Sequence, residues 1–243
     1  MSISSEIQRI EGNISAAYTA ADAKGATIPA TENSDNLATC IASIPSGGSS
    51  GKYALLDRVK DDSNNEIGTV SGFFTDANNQ EYAVVCLDAQ YRDLGLTWCS
   101  NSGTVVTNLP QYSNQTLYST TETATFNTQK ILDFCTAQSA TSTACNHCRN
   151  NSFIIDETTY YGQLPNIVEV IDIYRHSATI DSMDTSINSY PNNAISNTNL
   201  TPWSSNQFNA GNAWYLNGGG YIDTNSKPNV RGVIPVLEIP NAV

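Results

Sequence analysis

Trp203-Ser204-Ser205, Ala213-Trp214-Tyr215-Leu216, Gly218-Gly219-Gly220-Tyr221 and Val230-Arg231-Gly232-Val233-Ile234-Pro235-Val236 follow one another across residues 203–236 of a 243-residue chain. The runs are short, rich in aromatic and β-branched residues, and separated by Asn and Gly. That pattern predicts strands joined by turns. It sits at the end of a region that alternates such runs with two helical stretches.

Working backwards, Leu164-Pro165 opens a helix, Pro fitting its first turn, with Ile167, Val170, Ile171 and Tyr174 on one face. Asn127 is expected to cap a second helix, Thr128 to about Gln138, whose inner face carries Ile131, Leu132 and Cys135. Before it, Glu66 to Phe74, Tyr82 to Leu87 and Gly103 to Val106 read as strands, with a polar turn at Asp76 to Gln80. Two helices set among many short antiparallel strands predict an α+β domain over residues 52–243.

The C-terminal series resembles the C-type-lectin-fold domains of bacterial and phage surface proteins. It does so together with the upstream Tyr160-Tyr161-Gly162-Gln163-Leu164-Pro165-Asn166. In that family a Trp-Ser-Ser segment, an Ala-Trp-Tyr strand and a terminal Arg-Pro-Val strand frame the ligand-binding loops. The same stretch is similar to the variable regions of diversity-generating retroelement targets of the major tropism determinant type, which are altered at adenines and so most readily at Asn codons. Asn occurs 27 times in the chain, 11 of them between Asn188 and Asn229.

The resemblance implies a fixed frame of Trp203, Trp214, Gly220, Arg231 and Pro235. It also implies a ligand-facing set of Asn206, Gln207, Phe208, Asn209, Asn212, Tyr215, Asn217, Tyr221, Asp223, Asn225 and Asn229. Tyr and Phe would supply rigid contact area and Asn adaptable hydrogen bonding, the mixture found in antibody loops. The competing reading is that Asn fills turns, where its side chain bonds local backbone.

At the other end, Ile3, Ile7, Ile10, Ile14, Ala17 and Ala21 are spaced as an a/d heptad seam, and Ser5 with Gln8 matches a capping box. Isoleucine at both a and d favours three or more strands, so the seam predicts a homotrimer; packing on its own chain fits the same spacing. Gly12 within this helix costs about 1 kcal/mol relative to Ala. A second helix reads from Ser34 to Ile44, and Pro45 to Gly51 has the composition of a flexible linker. The expected organisation is thus an attachment segment at 1–45, a linker at 46–51 and one domain beyond. Gly12-Asn13-Ile14, Ala16 to Ala21 and Lys24 to Pro29 resemble N-terminal segments of phage and prophage tail proteins.

Composition narrows the partners. The net charge is −12 and only 14% of residues are charged, which argues against binding a phosphate backbone. The N-terminus carries no signal-like apolar region and no apolar run approaches 18 residues, so neither export by that route nor membrane insertion is expected. The redox state of Cys40, Cys86, Cys99, Cys135, Cys145 and Cys148 is left open.

Cys145-Asn146-His147-Cys148 has half the spacing of a zinc site but lacks a second close pair. With His147 and His176 the only histidines, a nucleophile–His–acid arrangement has few ways to form, although Glu169 and Asp172 lie one helical turn apart. Neither a metal nor another cofactor is expected. The sequence therefore points to a non-enzymatic phage tail protein, carried in the virion, that binds a host-surface protein or glycan and joins other tail proteins. A structural tail or baseplate component and an enzyme on the formylglycine-generating version of the fold are the alternatives.

Overall fold

A computed structural model of the chain describes residues 3–22, 28–31, 33–42, 51–101, 103–113 and 116–241. The chain divides into two compact units, Met1–Lys52 with Val243, and Tyr53–Ala242. Among the described residues no helix is long and apolar enough to cross a membrane.

In the first unit, α1 (Ile3–Asp22) and α2 (Ser34–Ala42) are both amphipathic. Tyr18, Ala21 and Cys40 are buried together, with Ile14, Ile28 and Leu37 packed against them. The Tyr18 hydroxyl donates to the Asn33 carbonyl at 2.8 Å, and the Asn33 side chain accepts from the Asn36 N–H to start α2. Ile14 and Ala21 of the heptad seam thus pack within this unit, whereas Ile10 is 46% exposed. The side chains of Ile3 and Ile7 and the linker at 46–50 lie outside the described residues. Ser5, expected near the helix start, lies inside α1; α2 is described to Ala42, and the expected end at Ile44 lies outside the described residues.

The second unit is α+β. Its largest sheet is antiparallel in the order β1 (Arg58–Lys60), β2 (Glu66–Thr75), β3 (Glu81–Leu87), β11 (Val236–Pro240). The β-type runs that predicted β2 and β3 put Ile67, Val70, Val85 and Leu87 in one buried cluster with Leu237 and Ile239 of β11. The register of β2 against β3 slips between Val70 and Gly72. At Gly72 a Cβ would lie 3.0 Å from the Asp172 carboxylate, so the bulge lets α5 (Ile167–Arg175) pack on this sheet.

A second, three-stranded sheet runs β7 (Trp203–Gln207), β8 (Asn212–Leu216), β9 (Ile222–Ser226). Two ribbons pair β4 (Asp93–Thr97) with β10 (Val230–Val233) and β5 (Ser152–Ile155) with β6 (Thr158–Tyr161). The main core, around Trp98, Trp203, Ile131 and Leu164, lies between β7 and α3 (Ala124–Ala137). Two further helices, α4 (Thr143–Arg149) and α6 (Ser177–Met183), were not anticipated. Each is only 7 residues long, too short to show a helical period.

Three expectations are corrected. Gly103 to Val106 is not a strand. The Val106 N–H donates to Gln207 Oε1 at 3.0 Å and its carbonyl accepts from Gln207 Nε2 at 3.1 Å, so one side-chain amide takes the place of a neighbouring strand. Helix α3 starts at Ala124, capped by the Thr123 hydroxyl and not by Asn127, whose amide is buried and donates to Ser205 Oγ. The α3 start is completed from a distant strand, because the Glu238 carboxylate accepts the Ala124 and Thr125 N–H groups at 2.7 and 2.8 Å. In α5 the cap is Asn166, which forms a capping box with Glu169, so Pro165 precedes the helix instead of standing in its first turn.

Candidate functional site

The ligand-facing surface that the sequence assigns to residues 206–229 is built on β7, β8 and β9. Strand β7 is covered by α3 and α5 and all five of its residues are buried. Its polar side chains therefore face protein. Asn206, expected at a solvent position, is fully buried; its Oδ1 accepts the Ile167 N–H at the start of α5 and its Nδ2 donates to Thr120 Oγ1. Gln207 is also fully buried and holds the 106–109 loop through Val106 and Leu109. Both are structural pins, so the expectation that they meet ligand is corrected. Tyr215 is likewise 6% exposed, lying edge-on to Trp203 and beneath the Arg231 guanidinium, 4.2 Å from its ring. Burial, with the Asp223 carboxylate near its hydroxyl, pushes the Tyr215 pKa up.

Replacing Asn206 with alanine strands the Ile167 N–H and should cost about 1–3 kcal/mol, read as a lowered urea midpoint. Asn229→Ala, at an exposed position, should change stability by less than about 0.5 kcal/mol.

The frame residues are held by specific contacts. The Trp203 and Trp214 indole N–H groups donate to the Leu96 and Tyr112 carbonyls at 2.9 and 3.1 Å. Pro235 is buried, its carbonyl accepting from the Leu87 N–H. Gly220 has φ +78°, and a Cβ there would come within 2.7 Å of the Tyr174 ring. Only glycine fits both conditions. Asn217 Oδ1 closes the same turn by accepting the Gly219 and Tyr221 N–H groups, and Asn209 Oδ1 does so for Gly211 and Asn212. These two asparagines perform the turn chemistry that composition alone suggested.

What the turn presents is Tyr221, 73% exposed. Opposite it stands Tyr118, 65% exposed, on the 3-10 turn Leu117–Ser119. Between them opens a cleft of about 300 Å³ lined by Leu117, Tyr118, Trp214, Tyr221 and Ile222. Its floor is apolar and rigid: Leu117 and Trp214 are buried, and Phe208 stacks edge-to-face on Trp214 at 5.1 Å. Below, Tyr112 donates to the Glu122 carboxylate. Asp223 and Asn229 are exposed beyond the cleft, Asn229 Nδ2 bonding Asn225 Oδ1, while Phe208, Asn212 and Asn225 are half-buried. Two amphipathic phenols over an apolar floor suit a flat ligand face edged by hydroxyl or amide groups. Tyr118 and Leu117 were missed because nothing in their local sequence links them to a turn a hundred residues away.

The groups weighed for chemistry lie elsewhere. His147 Nε2 and His176 Nδ1 contact the Tyr91 and Asp172 carbonyls at 2.7 and 2.9 Å. Among the described residues no group of three or more His, Cys, Asp or Glu is placed to hold a metal ion. Glu169 and Glu238 are both buried, and burial followed by the Glu238 charge pushes Glu169 well above the usual carboxylate range.

A native pKa above the unfolded one means that the folded state binds the proton more tightly. Its contribution is complete below the unfolded value of about 4.5 and is lost as pH rises through the native value. The melting temperature should therefore fall as pH rises above about 4.5, and Glu169→Gln should flatten that slope. An equal slope in the variant would assign it to other groups. No family model, curated protein or solved structure matches the chain.

Proposed function

We propose that the protein is a receptor-binding component of a phage tail, in which the Tyr53–Ala242 unit is a C-type-lectin-like domain that grips a host-surface molecule and the N-terminal unit attaches and trimerises the chain among other tail proteins. The observation that carries the proposal is the Tyr118/Tyr221 cleft: two large exposed aromatics over a buried Trp214 floor, held on a frame whose tryptophans and glycine are fixed by hydrogen bonds and close packing. Exposed aromatic pairs with a rigid apolar base are typical of binding hot spots, and tyrosine loses little entropy on contact. No bond-making step is needed for this role. A cleft of about 300 Å³ binds weakly alone, and three copies on one tail raise avidity by a factor of about 10² to 10⁴.

The burial of Asn206 and Gln207 narrows the surface on which diversification is tolerated to Tyr221, Asp223, Asn225 and Asn229, with Phe208 and Asn212 at its edge. The test is competition. Purified full-length protein should block adsorption of the phage that carries it, and pretreating the cells with periodate or protease should tell a glycan receptor from a protein one. Undiminished adsorption at saturating protein would refute the proposal.

A further inference from the structure

The core under β4 contains a chemical group that receptor binding does not use. Cys99 Sγ and Cys135 Sγ are 3.3 Å apart, two residues after β4 and near the end of α3 respectively, and both are buried. Beside them lies Lys227, also fully buried, whose backbone carbonyl accepts the Cys99 N–H. Its ammonium rests 4.9 Å from the centre of the Trp98 ring and makes only long contacts, 3.4 Å each, to the Thr104 carbonyl and Gln207 Oε1. No carboxylate among the described residues forms an ion pair with it.

A buried cation ordinarily has an anionic partner. The group here able to become one is the Cys99 thiol, which also accepts the Asn101 N–H at 3.4 Å. We propose that Cys99 and Cys135 are a peroxide-reactive thiol pair, with Lys227 holding Cys99 as the thiolate and oxidation closing a Cys99–Cys135 disulfide.

Three further features support this assignment. The hydrogen bond from Cys135, then the Asn101 N–H and the Lys227 charge, draw the Cys99 pKa down, while that bond and burial push Cys135 up. The pair is thereby divided into a nucleophile and a resolving thiol. Burial lowers Lys227 to about 8, so it remains mostly protonated at neutral pH. By contrast, burial pushes Cys145 up to about 12 and Cys148 well above the ordinary thiol value, although they share the same core. The next residues in the chain, Ser100 and Thr136, are exposed, and a local opening of these segments would admit a small hydroperoxide.

The chemistry balances with one hydrogen peroxide. The Cys99 thiolate attacks a peroxide oxygen, an S–O bond forms, the O–O bond breaks, and the departing hydroxide takes a proton from solvent. Cys135 sulfur then attacks Cys99 sulfur, the S–O bond breaks, and the second hydroxide leaves as water with the Cys135 proton. Two thiols lose two electrons and one peroxide becomes two waters. The sulfurs need close by only about 1.2 Å to reach bonding distance, and the bond would clasp β4 to α3 across 36 residues of sequence.

The experiment treats the intact protein with one equivalent of hydrogen peroxide and maps non-reduced peptides. A Cys99–Cys135 linked peptide is expected, with a melting temperature about 5 °C or more above the reduced protein. Two alkylated, unlinked cysteines or a link to a different residue would overturn the proposal. In Cys135→Ser, dimedone should label Cys99, and in Cys99→Ser it should leave Cys135 unlabelled; equal labelling would overturn the division of roles. Lys227→Met, close in volume, should slow peroxide consumption at least about tenfold, and an unchanged rate in a protein with native tryptophan fluorescence would remove Lys227 from the site.

Discussion

Replacing Arg92 with alanine should destabilise the Tyr53–Ala242 unit by about 3–5 kcal/mol, the cost of breaking a buried ion pair from one side. The Arg92 side chain is fully buried and lies 3.2 Å from both Asp181 and Asp184. It also donates to the Leu87 and Asn193 carbonyls at 2.9 and 3.1 Å. The two aspartates are themselves committed: Asp184 accepts the Ala89 N–H, and Asp181 accepts those of Ile195 and Ser196. One guanidinium therefore ties the end of β3 to α6 and to the loop that leads into β7.

Without the guanidinium, two carboxylates remain in the interior, held by backbone donors and, for Asp184, the Ser186 hydroxyl. Arg92→Lys restores a charge but not the fork that reaches two acids and two carbonyls, so it should fall between the wild type and alanine. Urea unfolding followed by tryptophan fluorescence reads the effect, and an unshifted midpoint for Arg92→Ala would show that water or local rearrangement replaces the guanidinium.

Elements whose partners are local were the legible ones. Strands β2 and β3 follow from two short β-type runs around one polar turn, and α5 follows from Ile167, Val170 and Ile171 at helical spacing. Elements completed from far away were read incorrectly. The start of α3 depends on the carboxylate of Glu238, more than a hundred residues on, and the 103–106 segment depends on the side chain of Gln207. The site divides along the same line. Trp203, Trp214 and Gly220 are large or conformationally special, and the resemblance of their motifs implied them as a frame. Asn206 and Asn229 look alike in sequence, but the first lies on a strand covered by two helices and the second on an open turn. Only packing separates a pin from a contact residue. Tyr118 reaches the cleft through the fold and carries no local mark.

Under the proposed function, the Tyr118/Tyr221 cleft contacts the host surface. Both rings are mostly exposed, so their truncation leaves no cavity of consequence, unlike the loss of Trp214 beneath them. Aromatics at the centre of an interface contribute about 2 kcal/mol or more each, and three linked copies multiply the loss. The direct measurement is binding of fluorescently labelled full-length protein to host cells, comparing the wild type with Tyr118→Ala/Tyr221→Ala at matched oligomeric state. The expected result is binding at least about thirtyfold weaker with an unchanged melting temperature. Equal binding by a folded double variant would place the receptor contact elsewhere on the molecule and contradict the claim.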